Sequence, residues 1–242
     1  MALIGWHGLV AAKTYIELHP TENVLVIEAE SSCGGTWSAD RLYPGLKSNN
    51  LLDTYEYPDF PMSPEVYGVQ PGEHIPGTVL HRYLTDFAKK FGVFSRIHFN
   101  TKVDSLQPEG DSWKIVATSG GEQQTLFTRR IVIATGLTSQ PNFPQYPGAD
   151  TFGAPYFHAK DFCRNGDTVK TAQSVVVVGG GKSAMDVANT YAAAGAHVDM
   201  VIRKEGNGPI WISYPWVLGG KKRLEKLLSV RFVSLMGGIS NV

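Results

Sequence analysis

Six consecutive residues in the last third of the sequence have the types and spacing that bind a diphosphate. They are Gly179-Gly180-Gly181-Lys182-Ser183-Ala184, which fit the pattern G-x-G-x-x-A. In that pattern the first glycine permits a tight turn, the second lets the backbone approach a pyrophosphate, and the small last residue allows a helix to pack closely on a strand. The first N–H groups of the following helix are then free to bind phosphate. The motif therefore predicts a dinucleotide-binding turn.

A cation further along the chain indicates which dinucleotide the turn prefers. In such a unit an acidic residue at the end of the second strand holds the ribose of NAD. This sequence has Arg203 at that position, followed by Lys204. Positive charge suits a 2′-phosphate, so we expect NADPH rather than NADH.

The residues around the turn predict a strand, a helix and a second strand. Val175–Val178 is an unbroken β-branched run, typical of a strand buried on both faces of a parallel sheet. Apolar residues then recur at helical spacing, Gly195 follows where the helix should end, and Val198–Ile202 predicts the next buried strand. The helical positions are Ala184, Val187, Ala188, Tyr191 and Ala192. A ligand-free α/β domain can also contain a glycine turn, but these elements and the terminal arginine together favour a binding unit.

A similar order of elements opens the chain. The sequence predicts a strand, a glycine turn, a helix and a second strand, at Ala2–Ile4, Gly5–Gly8, Leu9–Leu18 and Val24–Ile27. Glu28 ends the second strand, about 20 residues past the turn. An acid there accepts hydrogen bonds from both ribose hydroxyls of an adenosine.

The first turn departs from the pattern. A full G-x-G-x-x-G that begins at Gly5 needs two more glycines, at the positions of His7 and Val10. The simplest repair is that two residues are missing, so that Gly5 and Gly8 are the outer glycines and the middle one, which admits the phosphate, is absent. We then expect Trp6 and His7 to crowd a pyrophosphate. Either the cofactor binds poorly here, or the N-terminus of the sequence is not the natural one.

Composition restricts the class of protein. The 242 residues are 43% hydrophobic, and 22 Lys and Arg balance 22 Asp and Glu. This zero net charge gives no indication of nucleic-acid binding, and no apolar run approaches the roughly 18 residues of a transmembrane segment. The two cysteines, Cys33 and Cys163, are far apart, which argues against a disulfide framework, a zinc site and a redox dithiol. With no targeting signal in view, we expect a cytoplasmic protein.

The middle of the chain predicts further elements of an α/β fold. We expect an amphipathic helix at His81–Phe91 and then a three-stranded antiparallel meander. The strands of the meander are Val103–Leu106, Trp113–Thr118 and Gln124–Phe127. The β-branched run at Ile131–Ile133 predicts a further buried strand, which ends in the turn Ala134-Thr135-Gly136. We place a domain boundary near Gly148, before the second dinucleotide unit.

Two dinucleotide units separated by a meander resemble the two-dinucleotide flavoproteins, and more closely the flavin-containing monooxygenases and their Baeyer–Villiger relatives. Glu28 matches the ribose-binding acid of the FAD site in that family. The segment Gly34-Gly35-Thr36-Trp37 matches its GG-x-W loop near the flavin, and Ala134–Gly136 matches its ATG turn. The turn that begins at Gly179 matches its NADPH turn.

A linker motif extends the resemblance. The family carries the fingerprint F-x-G-x-x-x-H-x-x-x-(Y/F), which this sequence matches at Phe152, His158 and Phe162. Ala154 stands at the place of the fingerprint's glycine, and Gly153 lies one residue early. We expect His158 to be structural and assign it no proton transfer.

The resemblance implies one catalytic residue. Asn49 lies where flavin-containing monooxygenases place an asparagine beside the flavin, and its amide would hydrogen-bond the oxygenated flavin and the nicotinamide. Arg41 and Tyr43-Pro44-Gly45 are more similar to the Baeyer–Villiger enzymes, which carry aspartate at that position. Phe162 and Asn49 favour the first group. Taken alone, Asn49 beside Asn50 is also typical of a turn.

The implied fold is α/β, with two Rossmann-like dinucleotide-binding domains and a small antiparallel β-meander. Residues 1–147 would form the FAD-binding domain and residues 148–242 the NADPH-binding domain. Both would be incomplete, because enzymes of this family continue well beyond this length, and the C-terminal part of the FAD domain would be missing. The implied FAD site comprises Gly5, Gly8, Glu28, Gly35, Thr36, Trp37, Asn49, Val103, Ala134, Thr135 and Gly136. The implied NADPH site comprises Gly179, Gly180, Gly181, Lys182, Ser183, Ala184 and Arg203.

The implied function is an FAD- and NADPH-dependent monooxygenase. Such an enzyme oxygenates a small organic substrate with O₂ through a flavin C4a-(hydro)peroxide, at nitrogen or sulfur or on a ketone. A flavin disulfide reductase is a rival within the oxidoreductases, and the two isolated cysteines argue against it. A truncated, non-catalytic or regulatory fragment is the alternative from another class, favoured by the irregular first turn and by the length of the chain.

Overall fold

The structure, a computed structural model, describes residues 5–136 and 140–205, together with the backbone of residues 216–217 and 222–223. It is a mixed α/β structure whose residues group into two compact units. The first unit is Met1–Tyr43 with Gly77–Gly166, and the second is Pro44–Pro76 with Asp167–Val242. The strand expected at Ala2–Ile4 lies outside the described residues. The division into cofactor domains near Gly148 stays a prediction.

The described elements are α-helices and strands in mixed order along the chain. The helices are α1 (Trp6–Leu18), α2 (Pro64–Tyr67), α3 (Gly77–Lys90), α4 (Thr168–Thr171) and α5 (Lys182–Ala193). The strands are β1 (Val26–Ile27), β2 (Lys47–Leu51), β3 (His74–Pro76), β4 (Ile97–His98), β5 (Thr101–Glu109), β6 (Ser112–Ser119), β7 (Glu122–Thr128), β8 (Ser174–Val178), β9 (His197–Val201), β10 (Trp216–Val217) and β11 (Lys222–Arg223).

Helix α3 supplies the largest part of the core of the first unit. Apolar residues recur along it at spacings of three and four, which places them on one face. Fully buried on that face are Leu80, Tyr83, Leu84, Phe87 and Ala88. The ring of Trp6, at the start of α1, stacks on Tyr83 with centroids 5.7 Å apart. The predicted helix is confirmed, and it begins at Gly77, earlier than expected.

The predicted meander is confirmed. Strands β5, β6 and β7 form an antiparallel sheet in that order, and each is longer than its sequence pattern indicated. Val103 and Ala117 lie opposite each other in the sheet and pack with Ile27 of β1 and Ile115 of β6. Strand β1 pairs in parallel with β4.

The segment of residues 131–136 is not a strand, so the prediction of a buried strand there is wrong. Val132 is 62% and Ile133 is 61% exposed, and the segment pairs with no strand in the part of the chain that the structure describes. A β-branched run forms a buried strand only where a neighbour satisfies its backbone groups. The preceding residue, Arg130, is held on the first unit because its Nη1 donates to Tyr15 Oη at 2.7 Å and to Glu22 Oε1 at 3.1 Å.

The second unit contains the predicted strand–helix–strand order. Strands β8 and β9 run parallel, in register from Ser174 opposite His197 to Val178 opposite Val201. Helix α5 buries Val187, Ala188 and Tyr191, as its spacing predicted. It ends before Gly195, which has φ +93° and donates its N–H to Ala192 O at 3.0 Å.

The burial of β8 is one-sided, and the expectation of burial on both faces is wrong. Val177 is 8% exposed, whereas Val176 and Val178 are each 57% exposed. Successive side chains of a strand point to opposite faces. Among the described elements, β9 is the strand paired with β8 and α5 is the helix packed on both. One face of the pair is therefore covered and the other is open.

Two further strand pairs are antiparallel. In the second unit β2 pairs with β3, with Lys47 opposite Pro76 and Leu51 opposite His74 and an irregularity between them. Strand β10 pairs with β11. No helix within the described ranges is long and apolar enough to cross a membrane.

Candidate functional site

The glycine turn between β8 and α5 leaves open space at the start of the helix. Gly179 has φ +138°, which glycine adopts at little cost. A Cβ built on Gly179 would lie 3.5 Å from the Cβ of Ala184, so the helix packs directly on the turn. A Cβ built on Gly181 meets no protein atom within 4 Å. This space, beside the first N–H groups of α5, fits a diphosphate.

The same turn is tied to the end of β9. The N–H of Gly179 donates to Val201 O at 2.9 Å, and Arg203 follows two residues later. The Arg203 side chain is exposed, and no hydrogen bond or ion pair joins it to another described residue. A guanidinium that is free at this position can bind a phosphate group through two parallel hydrogen bonds. The geometry therefore fits the 2′-phosphate of NADPH.

The other residues of this motif contribute less charge than the sequence suggests. Lys182 forms an ion pair with Asp186 one turn along α5. The carboxylate of Asp186 therefore partly neutralises the positive charge of Lys182. Ser183 is exposed and Gly180 is half-buried, and both lie within the turn and the helix start.

The start of α1 has the same backbone shape as the start of α5. Gly5 precedes α1 with φ −89° and ψ −163°, and Gly181 precedes α5 with φ −85° and ψ 173°. Gly8 follows Gly5 by three residues, as Ala184 follows Gly181. Gly5 therefore takes the place of the glycine that admits the phosphate, and Gly8 takes the place of the small residue that packs on the turn.

This equivalence corrects the reading of the first turn. The helix begins at Trp6 rather than at Leu9, so Gly5 and Gly8 are not the outer glycines of a four-residue turn. Trp6 stacks on Tyr83 in the core of the unit, and His7 is exposed in the first turn of the helix. The glycine that the first motif lacks is the one equivalent to Gly179, whose place falls among residues 1–4, outside the described ranges.

The start of α1 lies against the predicted GG-x-W turn. A Cβ built on Gly5 would be 3.6 Å from Gly34 O and 3.7 Å from Gly35 Cα. Gly34 has φ +123° and Gly35 has φ +58°, and the turn closes with the Trp37 N–H donating to Gly34 O at 3.0 Å. We call Gly5 together with the turn Gly34–Trp37 the first cradle. It brings together two sequence motifs that lie 29 residues apart, and the backbone of the turn fills the space beside Gly5 that is open beside Gly181.

Glu28, the predicted ribose-binding acid, is inaccessible to a ligand in this structure. Its side chain is fully buried, and its Oε1 accepts the N–H of Glu30 at 2.9 Å. Its backbone N–H donates to His98 O at 2.9 Å. A ribose can reach this carboxylate only if the residues that cover it move. The first cradle thus offers the N–H groups of a helix start, whereas the space beside Gly5 and the ribose position accept FAD only if the residues that cover them move.

Cys33 lies next to the first cradle as an unreactive thiol. Its side chain is 1% exposed, and burial raises the pKa of the thiol to about 12, with the negative charge of Glu28 adding to the effect. A thiol with so high a pKa is neutral at physiological pH and is a poor nucleophile. The Sγ of Cys163 donates to Asp40 O at 2.7 Å, and both cysteines are free. Neither arrangement fits disulfide reduction.

The raised pKa of Cys33 predicts a loss of stability at alkaline pH. The thiol is deprotonated at lower pH in the unfolded chain than in the folded one, so the unfolded state binds fewer protons above its ordinary pKa, and the free energy of unfolding falls as pH rises toward about 12. Urea unfolding of the native chain and of Cys33→Ala at pH 7.5 and pH 10 should show a steeper alkaline decrease for the native chain. Equal decreases would contradict the assignment.

Of the other residues assigned to the FAD site, Thr36 lies in the first cradle, Val103 lies in the meander, and Ala134–Gly136 lie in an irregular segment. Thr36 is exposed within the first cradle. Val103 is 8% exposed and packs in the meander core. Ala134 and Thr135 are half-buried in the irregular segment 131–136, and Gly136 ends it with φ +73°. In the described part of the chain, no group of three or more His, Cys, Asp and Glu could hold a metal ion.

Asn49 lies on β2, in the second unit. Its side chain is exposed, and no hydrogen bond joins it to another described residue. Beside it Ser48 is buried, and His74 Nδ1 lies 3.0 Å from Ser48 O, which fixes the strand. The start of this segment is held on α5, because Thr190 Oγ1 donates to Pro44 O at 3.3 Å. The carboxamide of Asn49 is therefore free to hydrogen-bond a ligand from a fixed backbone.

The linker fingerprint has a structural role at two of its three positions. His158 Nδ1 accepts the N–H of Lys160 at 3.0 Å and so caps the 3₁₀ helix Ala159–Arg164. Phe162 is fully buried, 5.5 Å from the ring of Tyr43. Phe152 is 60% exposed. His158 is therefore a capping residue in this structure, and the expectation that it transfers no proton stays a prediction.

Sequence reasoning missed one residue that contacts the first cradle, His81. Its Nδ1 lies 3.1 Å from Cys33 O and 3.1 Å from Trp37 O. His81 recurs with Leu84 and Ala88 at helical spacing along α3, but that spacing does not indicate a contact with residues 33–37.

Several known proteins are similar to this chain over most of its length. The sequence pattern of the pyridine nucleotide-disulphide oxidoreductase family matches residues 43–229. An FAD-dependent monooxygenase of Pyrenophora dematioidea is 41% identical over 218 residues, which are 85% of this chain and 39% of that protein. Flavin-containing monooxygenase 1 of Mus musculus is 28% identical, over 93% of this chain and 44% of that protein.

A solved structure shows the shared fold. OTEMO, crystallised in complex with FAD and NADP, superposes with a TM-score of 0.67 at 23% identity, over 81% of this chain and 37% of that one. The chain thus spans about two fifths of the length of the relatives it matches. Because the family pattern covers most of the sequence, this chain belongs to the pyridine nucleotide-disulphide oxidoreductase family, and its relatives there are FAD-dependent and flavin-containing monooxygenases, as the resemblance implied.

Proposed function

We propose that this chain acts as an FAD- and NADPH-dependent monooxygenase that adds one oxygen atom of O₂ to a small organic substrate. The observation that carries the proposal is the turn between β8 and α5, with open space at Gly181 and with the exposed Arg203 beyond β9, which pairs with no other residue that the structure describes. The chemistry that FAD would supply when bound is hydride acceptance from NADPH and electron transfer to O₂. The first cradle supports the proposal because the start of α1 has the same backbone shape as the start of α5.

The chain's own residues would bind and orient the two cofactors. The N–H groups at the start of α5 bind the diphosphate of NADPH, and Arg203 pairs with its 2′-phosphate. The N–H groups at the start of α1 bind the diphosphate of FAD, against the turn that contains Gly34. Asn49, whose amide is exposed, would donate a hydrogen bond to a bound cofactor.

A non-catalytic relative is the second candidate, and one observation favours it. The Glu28 carboxylate is fully buried and already accepts a hydrogen bond, so a ribose has no access to it. A chain that never opens this position would hold FAD weakly through the phosphates alone. It would still bind NADPH at α5.

The test begins with the purified 242-residue chain and added FAD. We expect a yellow protein whose flavin is bleached by NADPH without oxygen, and which oxygenates members of a panel of amines, sulfides and ketones in air. Arg203→Ala should weaken NADPH binding about tenfold and leave NADH binding unchanged, since one charge-assisted phosphate contact is lost.

The outcomes separate the two candidates. Protein that retains FAD and oxidises NADPH but yields no oxygenated product from the panel would contradict the monooxygenase proposal. Protein that binds NADPH but retains no FAD at any concentration favours the non-catalytic relative. If neither dinucleotide binds, both candidates fail.

A further inference from the structure

His81 connects α3 to the first cradle through a shared hydrogen bond. Its Nδ1 is 3.1 Å from Cys33 O and 3.1 Å from Trp37 O, and both partners are carbonyl oxygens, which can only accept. Nδ1 must therefore carry the proton and donate to both. This bond spans 48 residues of sequence to Cys33.

The two carbonyl groups lie at the two ends of the glycine turn. Cys33 lies immediately before Gly34, and Trp37 ends the 3₁₀ turn that follows. Inside the turn the hydrogen bonds are local, from Trp37 N–H to Gly34 O at 3.0 Å and from Ser38 N–H to Gly35 O at 3.1 Å. Ser38 Oγ is buried without a hydrogen-bond partner in the described residues, so it adds nothing to this closure. Local bonds set the shape of the turn but not its position in the unit.

Helix α3 gives His81 a fixed base. Leu80 and Leu84, on either side of it in sequence, are fully buried. Tyr83, two residues further, stacks on Trp6 at the start of α1. The helix thus contacts both halves of the first cradle, the helix start through Tyr83 and the glycine turn through His81.

We propose that His81 is a positioning residue that holds the turn Gly34–Trp37 against the start of α1 and so sets the affinity of the first cradle for FAD. It touches neither the ligand nor the reacting atoms. The inference deepens the proposed function and rests on FAD binding there. Its effect on the turn can be measured without FAD.

The experiment uses two isosteric variants of the full chain. The amide nitrogen of His81→Asn can occupy the place of Nδ1 and donate, whereas His81→Asp has the same shape with oxygen acceptors that repel both carbonyls. FAD titration should give an affinity within about twofold of the native chain for His81→Asn and at least about fivefold weaker for His81→Asp and His81→Ala, because a partly buried two-acceptor hydrogen bond is lost. His98→Ala, an exposed histidine of the same unit, is the control and should bind FAD as the native chain does.

A second measurement tests the positioning itself in flavin-free protein. Hydrogen exchange of a peptide that covers residues 33–38 should become about fivefold faster in His81→Asp and stay native in His81→Asn, since the turn loses its long-range hydrogen bond. NADPH affinity should be unchanged in all four variants, which shows that the second unit is folded.

The inference and the proposed function fail separately. A native chain that binds no FAD removes the proposed function, while the exchange data still decide whether His81 positions the turn. Equal FAD affinity for the Asn and Asp variants overturns the inference, as does native exchange in His81→Asp. If His81→Ala does not fold, the Asn and Asp pair decides.

Discussion

Gly34→Ala is expected to lower the free energy of unfolding by about 2–4 kcal/mol. Gly34 has φ +123°, which an alanine takes only with strain. A Cβ there would also lie 2.7 Å from Trp37 C and 2.8 Å from Trp37 O. Both atoms belong to the backbone, so the turn must shift to make room. The shift would move the carbonyl that accepts the hydrogen bond of His81.

The chain offers a matched control for this substitution. Gly110, in the turn between β5 and β6, also has a positive φ, +58°, and a Cβ on it meets nothing within 4 Å. Gly110→Ala should therefore cost about 1 kcal/mol, from backbone strain alone. Urea unfolding of both variants measures the difference. Equal losses would show that the close approach of Trp37 to Gly34 does not exist in solution.

The strand–helix–strand unit and the meander could be predicted because their signals are local. In the second unit the β-branched strand, the glycines and the spacing of Val187, Ala188 and Tyr191 all lie within 31 residues, and the structure confirms each element. In the meander, polar turns separate short alternating strands, and that pattern needs no distant partner to be recognised.

Burial could not be predicted from the same local signals. The runs at Val175–Val178 and Ile131–Ile133 both have the composition of buried strands, yet one is half exposed and the other is not a strand. A β-branched run shows only that a segment is suited to a buried sheet. Whether a neighbouring strand or helix covers it depends on distant residues.

The first cradle shows the same limit at a functional site. Spacing alone predicts that Gly5 and Gly8 are the outer glycines of the first motif, and this prediction is wrong because α1 begins at Trp6. The equivalence of Gly5 with Gly181 became visible only from where each helix begins and from their matching backbone angles. The hydrogen bond from His81 to Cys33 and Trp37 joins segments more than 40 residues apart, which no short pattern encodes.

Gly181→Asp is expected to abolish NADPH binding without destabilising the protein. The backbone of Gly181, φ −85° and ψ 173°, suits any residue, and a Cβ on it meets no protein atom within 4 Å. Aspartate is also a preferred residue immediately before a helix, because its carboxylate accepts the free N–H groups there. The free energy of unfolding should therefore stay equal or rise by a few tenths of a kcal/mol.

The same carboxylate would occupy the space and the N–H groups that the diphosphate needs. Its negative charge also repels the phosphates, so the affinity for NADPH should fall at least about a hundredfold, or about 2.7 kcal/mol.

The control adds the same charge to the same helix at a distance from the turn. Asn189 is exposed on α5, and Asn189→Asp changes one atom of its side chain. It should leave NADPH affinity within about twofold of native, because an exposed charge two turns away is screened by salt. Gly181→Asp protein that is as stable as the native chain and still binds NADPH normally would show that the ligand does not approach the start of α5. Since a Cβ on Gly181 has no described atom within 4 Å beyond its neighbours in the chain, a loss of binding could not be attributed to a change in packing.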